Sequence, residues 1–245
     1  MDSGLYAACA GVIARTQTLD MAASNLANAS TTAFKGQQPT FQTVLQDAGD
    51  QVINRYTAAV DNFGVVGGSR TDLRQGTMSA TGNSLDVALQ GSGFLAVQTN
   101  GGVQYTRNGS MRLTSTNQLV TADGSAVLDT TGKAITLPSG DVTIGSNGTI
   151  SVNGALAGQL QIVEFPADTP LTHTAGSYYT APAAAAKAAT DTTVQQGMLE
   201  NSNVDSVTAA VNLIGLQRNA EMLTKAMSIF HNDINRMAAE DLPKV

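Results

Sequence analysis

The C-terminal part of the chain carries its most regular hydrophobic pattern. Apolar side chains recur there in alternating steps of three and four residues, which is the spacing of a coiled-coil seam. The pattern predicts a helix that begins after Asp205, a candidate N-cap residue, and ends near Glu240, shortly before Pro243. An ordinary amphipathic helix on a globular core is the alternative, and the unbroken seam disfavours it. The seam positions are Leu213, Leu216, Ala220, Leu223, Met227, Phe230, Ile234 and Met237.

The start of the chain carries a second seam, between Ser3 and Asn28. Leucine or valine occupies one heptad position and small residues occupy the other. Small side chains permit a close approach between helices, and the polar run that begins at Asn28 ends the predicted helix. The larger seam residues are Leu5, Val12, Leu19 and Leu26.

Short alternating runs of apolar and polar residues fill the region between positions 75 and 180. Asn-Gly and Asp-Gly pairs separate these runs, and such pairs favour tight hairpins because both residues tolerate a positive φ. The fold class is therefore α+β: a discontinuous coiled coil of the N- and C-terminal helices plus a central antiparallel β domain. The predicted strands are Leu85–Leu89, Phe94–Gln98, Val103–Thr106, Met111–Leu113, Gln118–Thr121, Thr149–Val152 and Gln159–Phe165, and the turn pairs begin at Asn100, Asn108, Asp123, Asn147 and Asn153.

Two connectors join the helices to the predicted β domain. The first follows the N-terminal segment 1–34 and covers 35–74 as an extended loop, in which Phe41, Val44 and Leu45 favour a short helix. The second covers 181–199, is rich in Ala and Thr, and is typical of a linker. The C-terminal helix segment is 200–245. Because two helices bury little area in a monomer, we expect other subunits to complete their packing.

Composition and charge narrow the range of partners. The chain has 13 basic and 19 acidic residues, a net charge of −6, and no run of three basic residues, which argues against nucleic acid. No stretch approaches the ~20 apolar residues of a membrane-spanning helix, so no membrane insertion is expected. The N-terminus lacks the basic start and apolar run of a secretory signal. We therefore expect a chain that stays inside the cell or leaves with its N-terminus intact.

Candidate catalytic and metal-binding residues are few. His173 and His231 are the only histidines, and both are expected to be solvated; Cys9 is the only cysteine and has no base nearby in sequence. Four aspartates lie beside turns, where Asp commonly caps the backbone rather than serving in an acid/base pair. We expect no catalytic site, no metal and no cofactor. The four aspartates are Asp86, Asp123, Asp129 and Asp141.

Four segments, in order along the chain, resemble signature motifs of flagellar rod and hook proteins. They are Ala23–Lys35 (ASNLANASTTAFK), Asp86–Val97 (DVALQGSGFLAV), Tyr105–Leu113 (YTRNGSMRL) and Leu199–Asp205 (LENSNVD). The resemblance covers nearly the whole chain outside residues 36–74. One departure is Ala33, where the family commonly has Gly. Because Ala reaches a positive φ only at a cost, we expect a differently shaped turn there.

The resemblance implies a structural subunit of the basal-body rod that transmits torque from motor to hook. Proximal-rod members are the most similar, and distal-rod members are the alternative. The implied partners are other rod subunits, further copies of this chain and the flagellar export apparatus, with a periplasmic location reached without a cleaved signal peptide. The predicted assembly interface comprises Leu5, Val12, Leu19, Leu26, Asn25, Asn28, Phe34, Asn203, Asp205, Leu213, Leu216, Leu223, Met227, Phe230 and Ile234.

Two other functions remain open from the residues alone. A secreted carbohydrate-binding or hydrolytic β domain needs an aromatic platform or two facing carboxylates, and the absence of Trp weakens it. A self-assembling surface filament or adhesin shares the helix–β–helix arrangement.

Overall fold

The computed structural model describes residues 2–43, 64–166, 169–174 and 176–241, and these form two compact units. The helical unit comprises Met1–Leu26, Gln37–Arg70 and Ser206–Val245. The β unit comprises Ala27–Gly36 and Thr71–Asp205. The two helices are α1 (Asp2–Ala27) and α2 (Ser206–Asp241). Terminal helices flanking an antiparallel β region confirm the α+β class, and both helices begin and end within a residue or two of the predicted positions.

The strands, numbered in chain order, are β1 (Gln37–Thr43), β2 (Gly64–Thr71), β3 (Met78–Ala80), β4 (Val87–Gln90), β5 (Phe94–Thr99), β6 (Gly102–Thr106), β7 (Met111–Leu113), β8 (Leu119–Thr121), β9 (Ala126–Val127), β10 (Val142–Ile144), β11 (Thr149–Val152), β12 (Ala155–Gln159), β13 (Ile162–Glu164), β14 (Thr172–His173), β15 (Tyr178–Thr180), β16 (Lys187–Ala188), β17 (Thr193–Gln196) and β18 (Met198–Glu200). A 3₁₀ turn covers Ala183–Ala185.

The β unit is built around one large antiparallel sheet. Its main path runs β14-β15-β6-β5-β9-β8-β7, and β13 pairs with both β5 and β16. A three-stranded sheet β10-β11-β12 and the pairs β17-β4 and β18-β3 complete the unit. The central strand β5 is buried on both faces: Phe94 and Ala96 join one apolar cluster, and Leu95 and Val97 join the other.

Four of the five predicted turn pairs join strands that pair with each other. They connect β5 to β6, β8 to β9, β10 to β11 and β11 to β12. Asn153 and Gly154 have φ values of 50° and 81°, as a tight hairpin requires. The pair at Asn108 is different, since a Cβ on Gly109 would lie 1.9 Å from the carbonyl oxygen of Val87. Gly109 serves a close backbone approach rather than a hairpin.

The helical unit contains both helices and the β1-β2 pair. Ala14 and Thr18 are buried on α1, and the Thr18 hydroxyl donates to the carbonyl oxygen of Ala14 at 2.8 Å. A shallow groove of about 530 Å³ adjoins α1, β1 and α2, and its lining includes Ala22, Pro39 and Gly215. The described helices include none that is long and apolar enough to cross a bilayer.

Both connectors differ from their predicted structure. Phe41 lies in strand β1 rather than in a short helix, while Val44 and Leu45 lie outside the described residues. The segment 181–199 carries β16, β17 and part of β18, which pair with β13, β4 and β3. The predicted linker therefore contains three strand segments, because its residues find strand partners that are distant in sequence. The prediction missed these pairings because it considered only local composition.

Candidate assembly site

A buried cluster of three charged side chains lies in the β unit. Lys35, Arg107 and Glu200 each have a side chain that is at most 1% exposed. The Lys35 ammonium donates to Glu200 Oε1 and, at 2.8 Å, to the carbonyl oxygen of Arg74. Arg107 Nε donates to Glu200 Oε2 at 2.9 Å, and the Gly76 amide donates to Oε1 at 2.8 Å. Glu200 thus accepts hydrogen bonds on both oxygens from two cations and one amide.

Arg107 also binds two backbone carbonyls and packs near an aromatic ring. Its Nη2 donates to the carbonyl oxygens of Gly91 at 2.7 Å and Leu89 at 3.2 Å, and the guanidinium lies 5.5 Å from the ring centroid of Phe94. Burial lowers the pKa of Lys35, the bond to Glu200 opposes this shift, and the charge of Arg107 adds to it. Among the described residues, Glu200 is the carboxylate that forms ion pairs with both cations.

Each member of this cluster comes from a different resemblance motif. Lys35 closes Ala23–Lys35, Arg107 lies in Tyr105–Leu113, and Glu200 lies in Leu199–Asp205. The cluster therefore holds together the three chain segments that those motifs cover. The sequence analysis did not identify it; the only available signal was that each of these otherwise mostly uncharged motifs contains a basic or acidic residue.

The turn before Lys35 departs from the sequence expectation. Ala33 has a φ of 56°, so it adopts the left-handed conformation usual for Gly, which the cost of that conformation for Ala did not predict. Ala33 is fully buried, and its amide donates to the carbonyl oxygen of Glu200 at 2.8 Å. This contact and close packing offset the backbone strain of an alanine at positive φ.

Phe34 is fully buried in the β unit, so the interface prediction does not hold for this residue. Its ring meets the His173 ring edge-on, with centroids 5.9 Å apart, and His173 meets Tyr179 in the same way. His173 is half-buried in strand β14, which corrects the expectation of a solvated side chain. The side chain of His231 lies outside the described part of the chain.

Asn25 and Asn203, two asparagines of the motifs, bind backbone groups. Asn203 Oδ1 accepts from the Gly36 amide at 2.8 Å, and its Nδ2 donates to the carbonyl oxygens of Asp72 and Arg74 at 2.8 Å and 3.0 Å. In the helical unit, Asn25 Nδ2 donates to the carbonyl oxygen of Gln37, and Asn25 Oδ1 accepts from the Gln37 amide, each at 2.8 Å. Both amides therefore position backbone within their own unit.

The other polar interface candidates lie at the helix ends. Asn28 Oδ1 accepts from the Thr31 hydroxyl at 3.2 Å. Asp205 is exposed and immediately precedes Ser206, the first residue of α2. Their part in an interface remains a prediction.

The predicted seam residues of α2 form one face of that helix. All are half-buried where their side chains are described, and residues between them are mostly exposed. On α1 the described seam residues Val12, Leu19 and Leu26 are also half-buried. The side chains of Leu5, Phe230 and Ile234 lie outside the described part. The half-buried α2 seam residues are Leu213, Leu216, Leu223 and Met227.

A second apolar face of α2 is strongly exposed. Its five side chains are between 52% and 70% exposed, and helical periodicity places them opposite the seam. We call this face the α2 stripe. The α2 stripe comprises Val207, Val211, Ile214, Met222 and Ile229.

The described bonds of the aspartates differ, since Asp129 caps its own turn whereas Asp123 binds a tyrosine that is distant in sequence. Asp129 Oδ1 accepts from the amides of Thr131 and Lys133 at 2.8 Å and 2.9 Å, and Asp123 accepts from the Tyr178 hydroxyl at 2.9 Å. Among the described residues, no group of three or more His, Cys, Asp or Glu side chains is placed to hold a metal ion.

Three family models match the chain. Residues 5–35 match "Flagella basal body rod protein", residues 88–152 match "Flagellar hook protein FlgE/F/G D1 domain", and residues 195–238 match "Flagellar basal body rod FlgEFG protein C-terminal". The flagellar basal-body rod protein FlgF of Caulobacter vibrioides is 33% identical over 100% of both chains. FlgF of Escherichia coli is 33% identical over 96% of this chain and 97% of its own. FlgG of Bacillus subtilis is 30% identical over 94% and 97%.

Proposed function

The chain belongs to the flagellar basal-body rod protein family and is a structural subunit of the rod, and on this basis we propose that it assembles through its terminal helices. The α2 stripe carries this proposal, because five exposed apolar side chains on one helix face favour burial against another protein. Neighbouring rod subunits and copies of this chain are the proposed partners. Packed helices along the axis then transmit torque.

The proposed position is the proximal rod. Full-length similarity to FlgF supports it, while similarity to FlgG favours the distal rod as the second candidate. Cryo-EM of isolated basal bodies that carry a labelled chain distinguishes the two by the height of the label along the rod. We also propose a periplasmic location that is reached through the flagellar export apparatus without cleavage. The names of the relatives favour a structural role over catalysis.

Two neighbouring substitutions test the helix proposal. Met222→Asp charges the α2 stripe and is expected to leave the fold intact but prevent incorporation into basal bodies. Leu223→Asp charges the half-buried seam and is expected to weaken both the helix packing and incorporation, because a buried unpaired charge is costly. Circular dichroism of the purified chains and immunoblots of basal bodies from a complemented deletion strain are the measurements.

Ser228→Asp is the matched control, since Ser228 is exposed on α2 and lies outside both the seam and the α2 stripe. This control is expected to assemble and to restore swimming. Normal incorporation of Met222→Asp and Leu223→Asp contradicts assembly through α2.

A further inference from the structure

We propose that Asn100 is a modification site, at which the folded chain converts its asparagine to aspartate and isoaspartate without an enzyme. The proposal goes beyond the rod function and does not depend on it. Its starting point is the four Asn-Gly pairs of the β unit, which begin at Asn100, Asn108, Asn147 and Asn153. Glycine has no Cβ, so it hinders least the closure of the preceding asparagine side chain onto the backbone.

The reaction consumes one water and releases one ammonia. The backbone nitrogen of Gly101 attacks Cγ of Asn100, and an N–Cγ bond forms while the bond from Cγ to the side-chain nitrogen breaks. That nitrogen takes up the proton that the Gly101 amide loses to solvent and leaves as ammonia. Water then opens the cyclic imide. Attack at Cγ gives aspartate, and attack at the backbone carbonyl carbon of Asn100 gives isoaspartate, in which the main chain runs through Cγ. Nothing is oxidised or reduced.

Hydrogen bonds hold three of the four asparagine side chains. Asn108 and Asn147 each accept on Oδ1 from the amide two residues further along the chain, at 3.0 Å and 3.1 Å. Asn153 Oδ1 accepts from the Asp141 amide at 3.0 Å. Each bond must break before the side chain can rotate towards the following nitrogen. One such bond therefore slows ring closure about two- to tenfold.

The glycines of two of these pairs are restrained as well. Gly148 is buried, and its amide donates to the carbonyl oxygen of Gly145 at 2.9 Å, so the attacking nitrogen is itself hydrogen-bonded. Gly109 is buried so close to the carbonyl oxygen of Val87 that a Cβ would have no room. Ring closure at either pair must displace packed backbone.

The loop between β5 and β6 lacks these restraints. Its two residues, Asn100 and Gly101, are both exposed. No described residue forms a hydrogen bond with the Asn100 side chain. The Gly101 amide donates to Thr99 Oγ1 at 3.2 Å, a longer bond than that of Gly148. The Asn100 side chain is therefore free to rotate towards the Gly101 nitrogen, and water reaches the product imide.

Peptide mapping of the purified full-length chain measures conversion at each pair. Fragment spectra locate the converted residue after incubation in mildly alkaline buffer. In the folded chain, conversion at Asn100 should be at least about two- to tenfold faster than at each other pair. Trypsin places Asn100 in peptide 75–107, Asn108 in 108–112, and Asn147 and Asn153 in 134–187.

Unfolding tests whether the fold sets this order. In concentrated guanidinium chloride the restraining bonds are lost, so all four pairs should convert at similar rates. Faster conversion at Asn147 or Asn153 than at Asn100 in the folded chain overturns the proposal. The same order and spread of rates in the unfolded chain overturns it too, because sequence rather than structure then selects the site.

Gly101→Ala tests the attacking nitrogen. Gly101 lies outside the left-handed region, and a Cβ there would approach no heavy atom beyond its chain neighbours more closely than 3.8 Å. The variant should therefore fold normally and convert severalfold more slowly at Asn100, because the new methyl group hinders ring closure. Conversion at Asn147 in the same chain is the internal control and should not change. Unchanged conversion at Asn100 in this variant excludes attack by residue 101 and overturns the proposal.

Discussion

Glu200 is the residue on which the buried charges of the β unit depend. Lys35 and Arg107 are both buried, and this carboxylate is the group that neutralises them. Removing the carboxylate leaves two uncompensated cations in the interior, whereas removing Lys35 leaves Arg107 and Glu200 as a hydrogen-bonded pair. The three charges are therefore unequal in their effect on stability.

Glu200→Gln is expected to lower the free energy of unfolding by about 3–5 kcal/mol. Lys35→Met should cost only about 1–2 kcal/mol, because no unpaired charge remains and the losses are the hydrogen bonds to Glu200 and to the Arg74 carbonyl oxygen. Urea unfolding followed by circular dichroism measures both. An equal loss of unfolding free energy in the two variants contradicts the expectation that Glu200 matters more to stability than Lys35.

The lowered pKa of Lys35 predicts a specific pH dependence. Burial is its largest cause, so the folded-state pKa lies below the usual lysine value of 10.5. Between these two values the unfolded chain binds more protons than the folded chain, and stability due to Lys35 therefore rises with pH. Burial raises the pKa of Tyr105 and Tyr178. Above about pH 10 these tyrosines ionise more readily in the unfolded chain than in the folded chain, so they lower the stability of every variant there.

The tyrosines contribute equally to the unmodified chain and to Lys35→Met, so their contribution cancels in the difference between the two unfolding free energies. This difference should shift in favour of the unmodified chain as pH rises towards 10.5. Urea titrations at several pH values from neutral to alkaline provide the measurement. A difference that is constant over this range is evidence against a depressed pKa.

The charged cluster and the conformation of Ala33 could not be predicted from the sequence. Each motif could be recognised from the order of its own residues. The partners of Glu200, however, lie 165 residues away at Lys35 and 93 residues away at Arg107. Ala33 was expected to avoid positive φ because that conformation is costly for Ala in isolation. Its backbone bond to Glu200, invisible in the sequence, holds the conformation.

At the scale of elements, the helices were predictable and several strands were not. The seams of α1 and α2 repeat within a few residues, so local periodicity identifies them. Strands such as β16 and β17 are short and form through distant partners, with β17 pairing with β4. Their Ala- and Thr-rich sequence has no strong alternation, and composition alone predicted a linker.

Strand β17 provides a test that separates a strand from a linker. Val194 is buried, and the neighbouring residue Thr193 is exposed. Val194→Asp is expected to cost about 3 kcal/mol or more, because it places an unpaired carboxylate in the core. Thr193→Asp should change the free energy of unfolding by only about 0.5 kcal/mol. Thermal and urea unfolding measure both, and a tolerated Val194→Asp indicates that the segment does not form a strand.

At the scale of the whole molecule, the apolar core lies in the β unit. The residues of both buried apolar clusters belong to 71–205, and the charged cluster adds Lys35 from 27–36. The chain leaves this unit after Gly36 and returns at Thr71, where the Asp72 amide donates to the Gly36 carbonyl oxygen at 2.8 Å. The β unit thus has its own core and closely spaced chain ends at this point, as an independently folding domain requires.

A shortened chain that keeps 27–36 and 71–205, joined by two glycines, is therefore expected to fold cooperatively. Its β-type circular dichroism and urea transition should remain after loss of both helices, because the core clusters are retained. The same chain with Glu200→Gln should unfold at a markedly lower urea concentration, because the two buried cations lose the carboxylate that neutralises them. A non-cooperative transition in the unsubstituted short chain shows instead that the β unit needs the helical residues to fold. Cooperative folding places the stability of the subunit in its β unit and leaves the helices available for contacts between subunits.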